Sequence, residues 1–579
     1  MKVLYIDLSN YDYYVEERKE LFDKYLGGAG VGIKLLAEAC PENASPLGEE
    51  NVIIFAVGPL TGKFPLASKT VALFKSPHTG NLGESHAGGR SAIAIASAGY
   101  GAIVIKGKSD IPIYLVINED GVKFRDASSL WGMASTYTVG RVIREAEKGS
   151  GIRSIMRIGK AGEKLVSYAS VITETYRHFG RLGLGAVFGS KNLKAIQISG
   201  RKSVKIENKK KFNEVYKEIY DLAVSSQKMK KYHDLGTVAN VMPLNKIKSL
   251  PTRNLLSSSF EDAEKISGEA LAENFLSRRL ACAHCPTGCI HLAAIRVPYE
   301  NEPYFYKTTY ISYDYELVYS LGSMLGIASP EGMLRLIEEI EILGLDAIST
   351  GVTLAWATEA LEKKIISEKE TLLRLKFGDW QTYIKAVQLI VEQRNEFYKA
   401  LARGCAFASK KYGGKDIALA FAGNEMAGYH TGPAIYINFL TGARHSHLDS
   451  AGYSVDQKVK ETSPEKIAEL LFKEEAWRQV LSSLVVCFFA RGIYSEKIVV
   501  KALNSIGIQK GVEEIKKLGE NILREKYKFK LREGFKFEEL ELPKRIFETP
   551  SQLEIKPEVI KKGVEEYKKI VLNEHQRKT

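Results

Sequence analysis

The sequence predicts an α+β protein: a β-rich amino-terminal domain over residues 1–204, followed by largely helical domains over residues 205–414 and 415–579. Three observations carry this. A chain of 579 residues with 45% hydrophobic content exceeds what one hydrophobic core organises, so two to four packed domains are expected. Short β-rich runs separated by glycine-rich turns fill the first third. From about Asn208 a 3.6-residue periodicity takes over.

The strand candidates, in order, are Lys2 to Leu8, Val52 to Val57, Thr70 to Phe74, Ala102 to Lys106 and Ile113 to Ile117. Helical spacing follows in Lys209 to Ser225, Pro330 to Leu343, Thr350 to Lys363 and Asp379 to Tyr398, and later in Pro464 to Phe489 and Lys510 to Lys526. Between Gly423 and Asp456 the chain is rich in Gly, His and Asn and reads as irregular loop, the kind that often lines a site. Beyond about Lys556 it reads as a charged, frayed tail.

No apolar run approaches the ~18 residues that a membrane helix needs, because Ser97, Gly99 and Gly101 interrupt the longest one. The opening MKVLYIDLSN lacks the apolar centre and cleavage site of a signal peptide. A cytoplasmic enzyme with no membrane partner is expected. The net charge of +13 suits an acidic partner, but the lysines form no block and no helix-turn-helix or basic–aromatic module stands out, so nucleic acid is not expected.

Six cysteines are too few for a disulfide scaffold, and three of them crowd into ACAHCPTGCIH as Cys282, Cys285 and Cys289. Pro286 and Gly288 let this loop turn three thiolates toward one centre, which suggests an iron–sulfur cluster. A fourth ligand is needed. Cys487, in the apolar stretch SSLVVCFFARG, suits a buried cluster, with Cys40 and Cys405 as alternatives. Zinc is the competing metal, and His284 or His291 could join it, although structural zinc sites usually offer two separated pairs of ligands.

Gly27, Gly28, Gly30 and Gly32 open a helix as in a dinucleotide fingerprint, but Ile33 stands where that pattern needs its last glycine. GLGAVFGSK likewise has the wrong Lys–Ser order for a phosphate loop. These glycines mark tight turns or backbone brought close to something.

The order of GPLTG (Gly58 to Gly62), KSPHTG (Lys75 to Gly80), AGYGAIVIKGKS (Ala98 to Ser109), GRLGLGAVFGSKNLKAI (Gly180 to Ile196), the cysteine loop and GLDAISTG (Gly344 to Gly351) resembles the tungsten-containing aldehyde:ferredoxin oxidoreductase family. The resemblance spans nearly the whole chain and weakens after about Asp449. It implies a β-rich base for a tungsten or molybdenum bis-pterin, with Mg2+ linking the pterin phosphates, and two helical domains closing over it beside one [4Fe–4S] cluster. Its four cluster cysteines match Cys282, Cys285, Cys289 and Cys487. It implies oxidation of a small aldehyde and delivery of electrons to ferredoxin or another iron–sulfur carrier.

Lys69, His86, Gly88 and Arg177 match pterin-binding positions, with Lys69 standing where the family has an arginine. Of the two D-x-x-G-L-(D/C) pterin motifs, the first appears as Glu341, Gly344, Leu345 and Asp346. The second appears as Ser482, Val485, Val486 and Cys487, with only its cysteine retained. These departures mark an outlying subfamily. Near the metal, Glu316 and His447 match the family's glutamate and histidine, with His445 as a rival for the latter; Asp449 falls where relatives can carry a pterin-binding lysine. No histidine lies between His291 and His430, and Arg335 replaces a glutamate that bridges subunits through iron in some relatives, so any homodimer is expected to use direct contacts without bridging iron.

Overall fold

The computed structural model describes residues 1–149, 151–174, 176–203, 205–299, 302–458 and 463–573. Residue 204, where the sequence ends the first domain, and the last six residues of the expected tail lie outside the described residues.

Two six-stranded sheets build the amino-terminal third. The first runs Asp12–Glu17, Lys2–Asp7, Tyr100–Lys106, Ile53–Ala56, Thr70–Lys75, Leu82–Ala87 from edge to edge. The second runs His178–Phe179, Val171–Thr173, Ile152–Arg157, Leu193–Gly200, Ile113–Asn118, Gly121–Asp126. Because side chains alternate across a strand, Ile53, Phe55 and Val57 enter a core between the sheets, while Ile54 and Ala56 enter the larger core that joins the helical part. Covered on both faces, the central strands are nearly unbroken apolar runs. Phe55 meets Phe179 edge-on at 5.4 Å and so fastens one sheet to the other.

From Lys209 onward the chain is mostly helical, which agrees with the expected fold class. One exception lies inside the region read as helical: a three-stranded antiparallel sheet of Leu276–Leu280, Ile290–Tyr299 and Glu302–Tyr313. Its alternation is masked in the sequence because the outer part of the hairpin is solvated on both faces, leaving Tyr304, Phe305 and Tyr306 exposed. The cysteine loop is the connection between the first two of these strands.

Other boundaries shift for local reasons. The helix expected over Asp379 to Tyr398 splits into Trp380–Glu392 and Glu396–Leu401, because Gln393 turns left-handed at φ 52° and Asn395 caps the second piece through the Tyr398 N–H. Pro464 to Phe489 stops being helical at Ser483. The frayed tail is corrected to a helix, Pro557–Val571, whose Ile560, Val564, Tyr567 and Val571 fall on one buried stripe behind its lysines and glutamates. The stretch read as irregular contains the buried helix Pro433–Thr441. No helix among the described residues is long and apolar enough to cross a membrane.

Candidate functional site

The four matched cysteines are brought together by a short connecting segment. Leu66 donates its N–H to the His284 carbonyl at 3.0 Å and accepts the Cys487 N–H at 2.9 Å, while the Lys69 N–H reaches the Val485 carbonyl at 3.1 Å. Residues 66–69 are therefore laced between the two cysteine segments. Burial first, then the neighbouring Cys282 and Cys487, pushes the Cys285 thiol up to about 11 and the Cys289 thiol up to about 12. Thiols in such surroundings become thiolates when a metal supplies the compensating charge.

The alternatives for the fourth ligand lie elsewhere. Cys40 hydrogen-bonds the Pro41 carbonyl, and Cys405 opens a helix whose first N–H reaches Glu425 Oε1 at 3.1 Å. His291 Nε2 is taken by the His233 carbonyl at 2.9 Å, so that histidine is already engaged. Four thiols suit an iron–sulfur cluster and would equally suit a four-cysteine zinc site.

Close backbone contact explains the glycine run. Gly28 adopts φ 37°, and a Cβ there would meet the Ser482 carbonyl oxygen at 2.0 Å; one on Gly58 would meet the Leu484 carbonyl carbon at 2.7 Å. The Gly30 N–H donates to Ser483 Oγ at 3.0 Å. These glycines seat the turn that delivers Cys487. Within that turn Val485 takes φ 55°, the left-handed conformation that Gly344 takes at φ 78° in the first motif. The second motif has lost its glycine but keeps the backbone shape, at the cost of strain in a β-branched residue.

A cavity of about 300 Å³ runs from Cys487, Val486, Lys69 and His86 to Glu316 and His447. Glu316 is the second residue of the helix Tyr315–Leu321, capped by Asp314. Its Oε2 accepts the Gly428 N–H at 3.2 Å, and its Oε1, which has no aligned hydrogen-bond partner, lies 3.3 Å from His447 Nε2. Burial drives the Glu316 carboxyl up to about 8. Burial, followed by the charges of Arg181, Arg478 and Arg444, holds His447 well below its ordinary value, so its imidazole is neutral near pH 7. His445 turns away: Nδ1 meets the Phe439 carbonyl at 3.0 Å and Nε2 meets Lys530 Nζ at 2.7 Å. Of the two histidines, His447 is the one that lies beside Glu316.

Of the other matched residues, His86 lines this cavity, whereas Gly88, Arg177, Glu341, Leu345, Asp346, Ser482 and Asp449 do not. Gly88 lets Cys282 and Lys69 approach, since a Cβ on it would lie 2.7 Å from Cys282 Sγ and 3.3 Å from Lys69 Nζ. Arg177 holds Ser312 Oγ at 3.2 Å, and its charge acts on Cys289. His86 Nε2 meets Glu84 Oε1 at 2.7 Å, and burial lowers its pKa to about 4. Glu341 meets His178 Nε2 at 2.7 Å. Leu345 bridges to Ala169, and Ser482 backs onto Gly28. Asp346 caps the next helix and takes Arg181 Nε at 3.2 Å, so it positions Arg181. Asp449 likewise takes Arg444 Nε at 2.6 Å.

Arg181, Arg444, Arg478 and Arg491, all lining the cavity, escaped the sequence reading. A lone arginine in a loop or helix carries no spacing signal; only the position of Arg181 inside GRLGLG could have flagged it. Arg181 Nη1 and Asn424 Oδ1 are buried without partners, so this wall offers both a donor and an acceptor to a bound group. Such a wall fits an anionic, hydrogen-bonding organic cofactor.

Comparison with known proteins agrees. The family profile described as "Aldehyde ferredoxin oxidoreductase, N-terminal domain" matches residues 3–200, and "Aldehyde ferredoxin oxidoreductase, domains 2 & 3" matches residues 214–572. A "Tungsten-containing aldehyde ferredoxin oxidoreductase" of Thermococcus kodakarensis is 31% identical over 568 residues, covering 95% of this chain and 91% of the relative. An "Aliphatic sulfonate oxidoreductase, WOR-like subunit" of Pyrococcus furiosus is 29% identical over 510 residues, 84% of this chain and 78% of the relative. Among solved structures, "Active site complex BamBC of Benzoyl Coenzyme A reductase in complex with 1,5 Dienoyl-CoA" superposes with a TM-score of 0.82 over 98% of this chain and 94% of that one, at 21% identity, a likeness of fold alone.

Proposed function

The chain belongs to the aldehyde ferredoxin oxidoreductase family and is an oxidoreductase, and from that premise we propose that it oxidises an aldehyde, RCHO + H2O → RCOOH + 2 H+ + 2 e−, and passes the electrons to ferredoxin or a similar iron–sulfur carrier. The observation that carries this reading is one cavity with the Glu316–His447 pair in its wall and Cys487 at its other end. Cys282, Cys285, Cys289 and Cys487 would hold the [4Fe–4S] cluster. Lys69, His86, Arg181 and Asn424 would hold a tungsten or molybdenum bis-pterin, with Asp346 fixing Arg181. When bound, that group supplies two-electron chemistry at the carbonyl carbon. The reading leaves Mg2+ out, because Glu84, the carboxylate beside His86, is occupied by Lys526 and His86.

Glu316 and His447 manage the protons. Below about pH 8 the pair holds a carboxylic acid facing a neutral imidazole. Glu316 Oε1 lies 3.3 Å from His447 Nε2, and neither that oxygen nor His447 Nδ1 has a protein hydrogen-bond partner, so both are open to the substrate oxygen or its proton. Above about pH 8 the Glu316 carboxylate is the base that takes up a proton released as water adds to the carbonyl carbon, and below it the carboxylic acid is a donor to the substrate oxygen. Tyr315 and Tyr429 close the wall around them and limit water.

Elemental analysis together with turnover of an aldehyde panel, using reduced ferredoxin as the readout, tests the proposal. Iron with tungsten or molybdenum and aldehyde-dependent reduction is expected. Iron without either metal would favour a catalytically silent electron-transfer subunit, the alternative motivated by Ser482. Turnover only with a carboxylic acid and a strong reductant would favour the reverse direction.

A further inference from the structure

We propose that the cationic rim of the cavity is an oxyanion-binding site selecting short aldehydes that carry a carboxylate or phosphate; this deepens the aldehyde reading and rests on it. Arg478 is the anchor. It is 1% exposed, its Nη1 donates to the Leu448 carbonyl at 2.7 Å and its Nε to Glu474 Oε1 at 2.8 Å, but its buried Nη2 has no partner. The guanidinium lies 5.1 Å from the Phe488 ring, and Phe488 lines the same cavity. Because Leu448 follows His447 in the chain, this free donor is tied next to the proposed reacting centre.

The rim adds further cations. Arg491 also lines the cavity, with Nη1 on the Phe488 carbonyl at 3.0 Å and Nε 3.9 Å from the same Glu474 oxygen. Lys228 reaches over Tyr232, 5.9 Å from its ring centroid, and Lys231 donates to Asn240 Oδ1 at 3.3 Å; Tyr232 and Asn240 are both wall residues. Lys228 is held down to about 8 by burial and then by Arg491, Arg478, Lys458 and Lys231, which places all five charges in one field.

Glu474 is shared between two of the five. Glu474 does not line the cavity, and the three wall carboxylates are Glu84, paired with Lys526, Asp314, which accepts the Leu317 N–H at 3.4 Å, and Glu316, which accepts the Gly428 N–H at 3.2 Å. Like charges gathered at a partly desolvated mouth, with a buried guanidinium N–H left open, are relieved by an anion. A planar fork suits a carboxylate or phosphate. Because Arg478 donates to the carbonyl of the residue that follows His447, a short chain between oxyanion and aldehyde suits the site.

Two measurements test this on the purified holoenzyme. The first compares kcat/KM for butanal, 4-oxobutanoate and glycolaldehyde phosphate. A preference of about tenfold or more for a charged aldehyde is expected, falling about tenfold in Arg478→Gln, Arg491→Ala and Lys228→Ala, a loss typical of one charged hydrogen bond. The preferred charged aldehyde identifies carboxylate or phosphate as the natural head group. The second needs no turnover: calorimetry of succinate, 2-phosphoglycolate and neutral butanamide with the resting protein, where a dianion should bind and butanamide should bind at least tenfold more weakly. Equal treatment of charged and uncharged molecules in both assays overturns the site. So does loss of tungsten, molybdenum or pterin from the Arg491→Ala and Lys228→Ala proteins, which would assign the cations to the cofactor. If no aldehyde turns over, the proposed reaction fails while calorimetry still decides the oxyanion site.

Discussion

At the scale of single residues, the proton balance between Glu316 and His447 sets the most direct expectations. Glu316→Gln keeps the shape and removes the titrating group, so turnover should fall by on the order of 10²–10⁴ while metal content stays unchanged. His447→Ala should act similarly. His445→Ala should instead lower stability, since it removes a partner of buried Lys530. A distinct check uses no substrate. The native carboxyl at about 8 binds a proton that an unfolded glutamate, near 4.5, has already released, so stability should fall as pH rises through that interval. Glu316→Gln should abolish this slope, and urea midpoints measured at pH 5 and pH 9 would show the variant gaining on the parent at the higher pH. The thiols were legible from spacing alone, since three cysteines within eight positions can converge on one metal centre without help from the rest of the chain. Glu316 and His447 were legible only through resemblance, because an isolated glutamate followed 131 residues later by a histidine forms no local pattern. Arg478 was not legible at all: only the packing of its helix reveals that its guanidinium is buried.

At the scale of elements, the glycine-lined start of helix Gly28–Ala39 and the turn after helix Pro464–Ser483 act as one joint. Gly28→Ala places a methyl group against the Ser482 carbonyl in an unfavourable backbone conformation, so a loss of about 3 kcal/mol is expected in denaturant unfolding, together with lower iron per chain. Cys487→Ser should lose the broad visible absorption of an iron–sulfur centre, while Cys40→Ser and Cys405→Ser should retain it. The sequence showed that these glycines bring backbone close to something; it could not show that the something lies about 450 residues away. The long hairpin was missed for a related reason. Its strands bury only their inner ends, so period-two alternation never extends over their full length.

At the scale of the whole molecule, +13 net charge predicts faster encounter with an acidic ferredoxin at low ionic strength and slower encounter as salt screens the attraction. Stopped-flow reduction of ferredoxin across a salt series measures it, and a flat series would remove charge steering from the account. The fold class was legible because the two sheets and the helices segregate along the chain, whereas the cavity was not, because its walls come from segments as distant as Lys69 and Arg491. That distance also orders events in time. About 200 residues separate Cys289 from Cys487, and ribosomes add ~5–20 residues per second, so the third thiol waits ~10–40 s for the fourth. The nascent chain therefore emerges with its glycine seat made but empty and three thiols uncommitted. Insertion of the proposed cluster is a late step of maturation, and a chain released before Leu484 should leave its biogenesis machinery without stable iron.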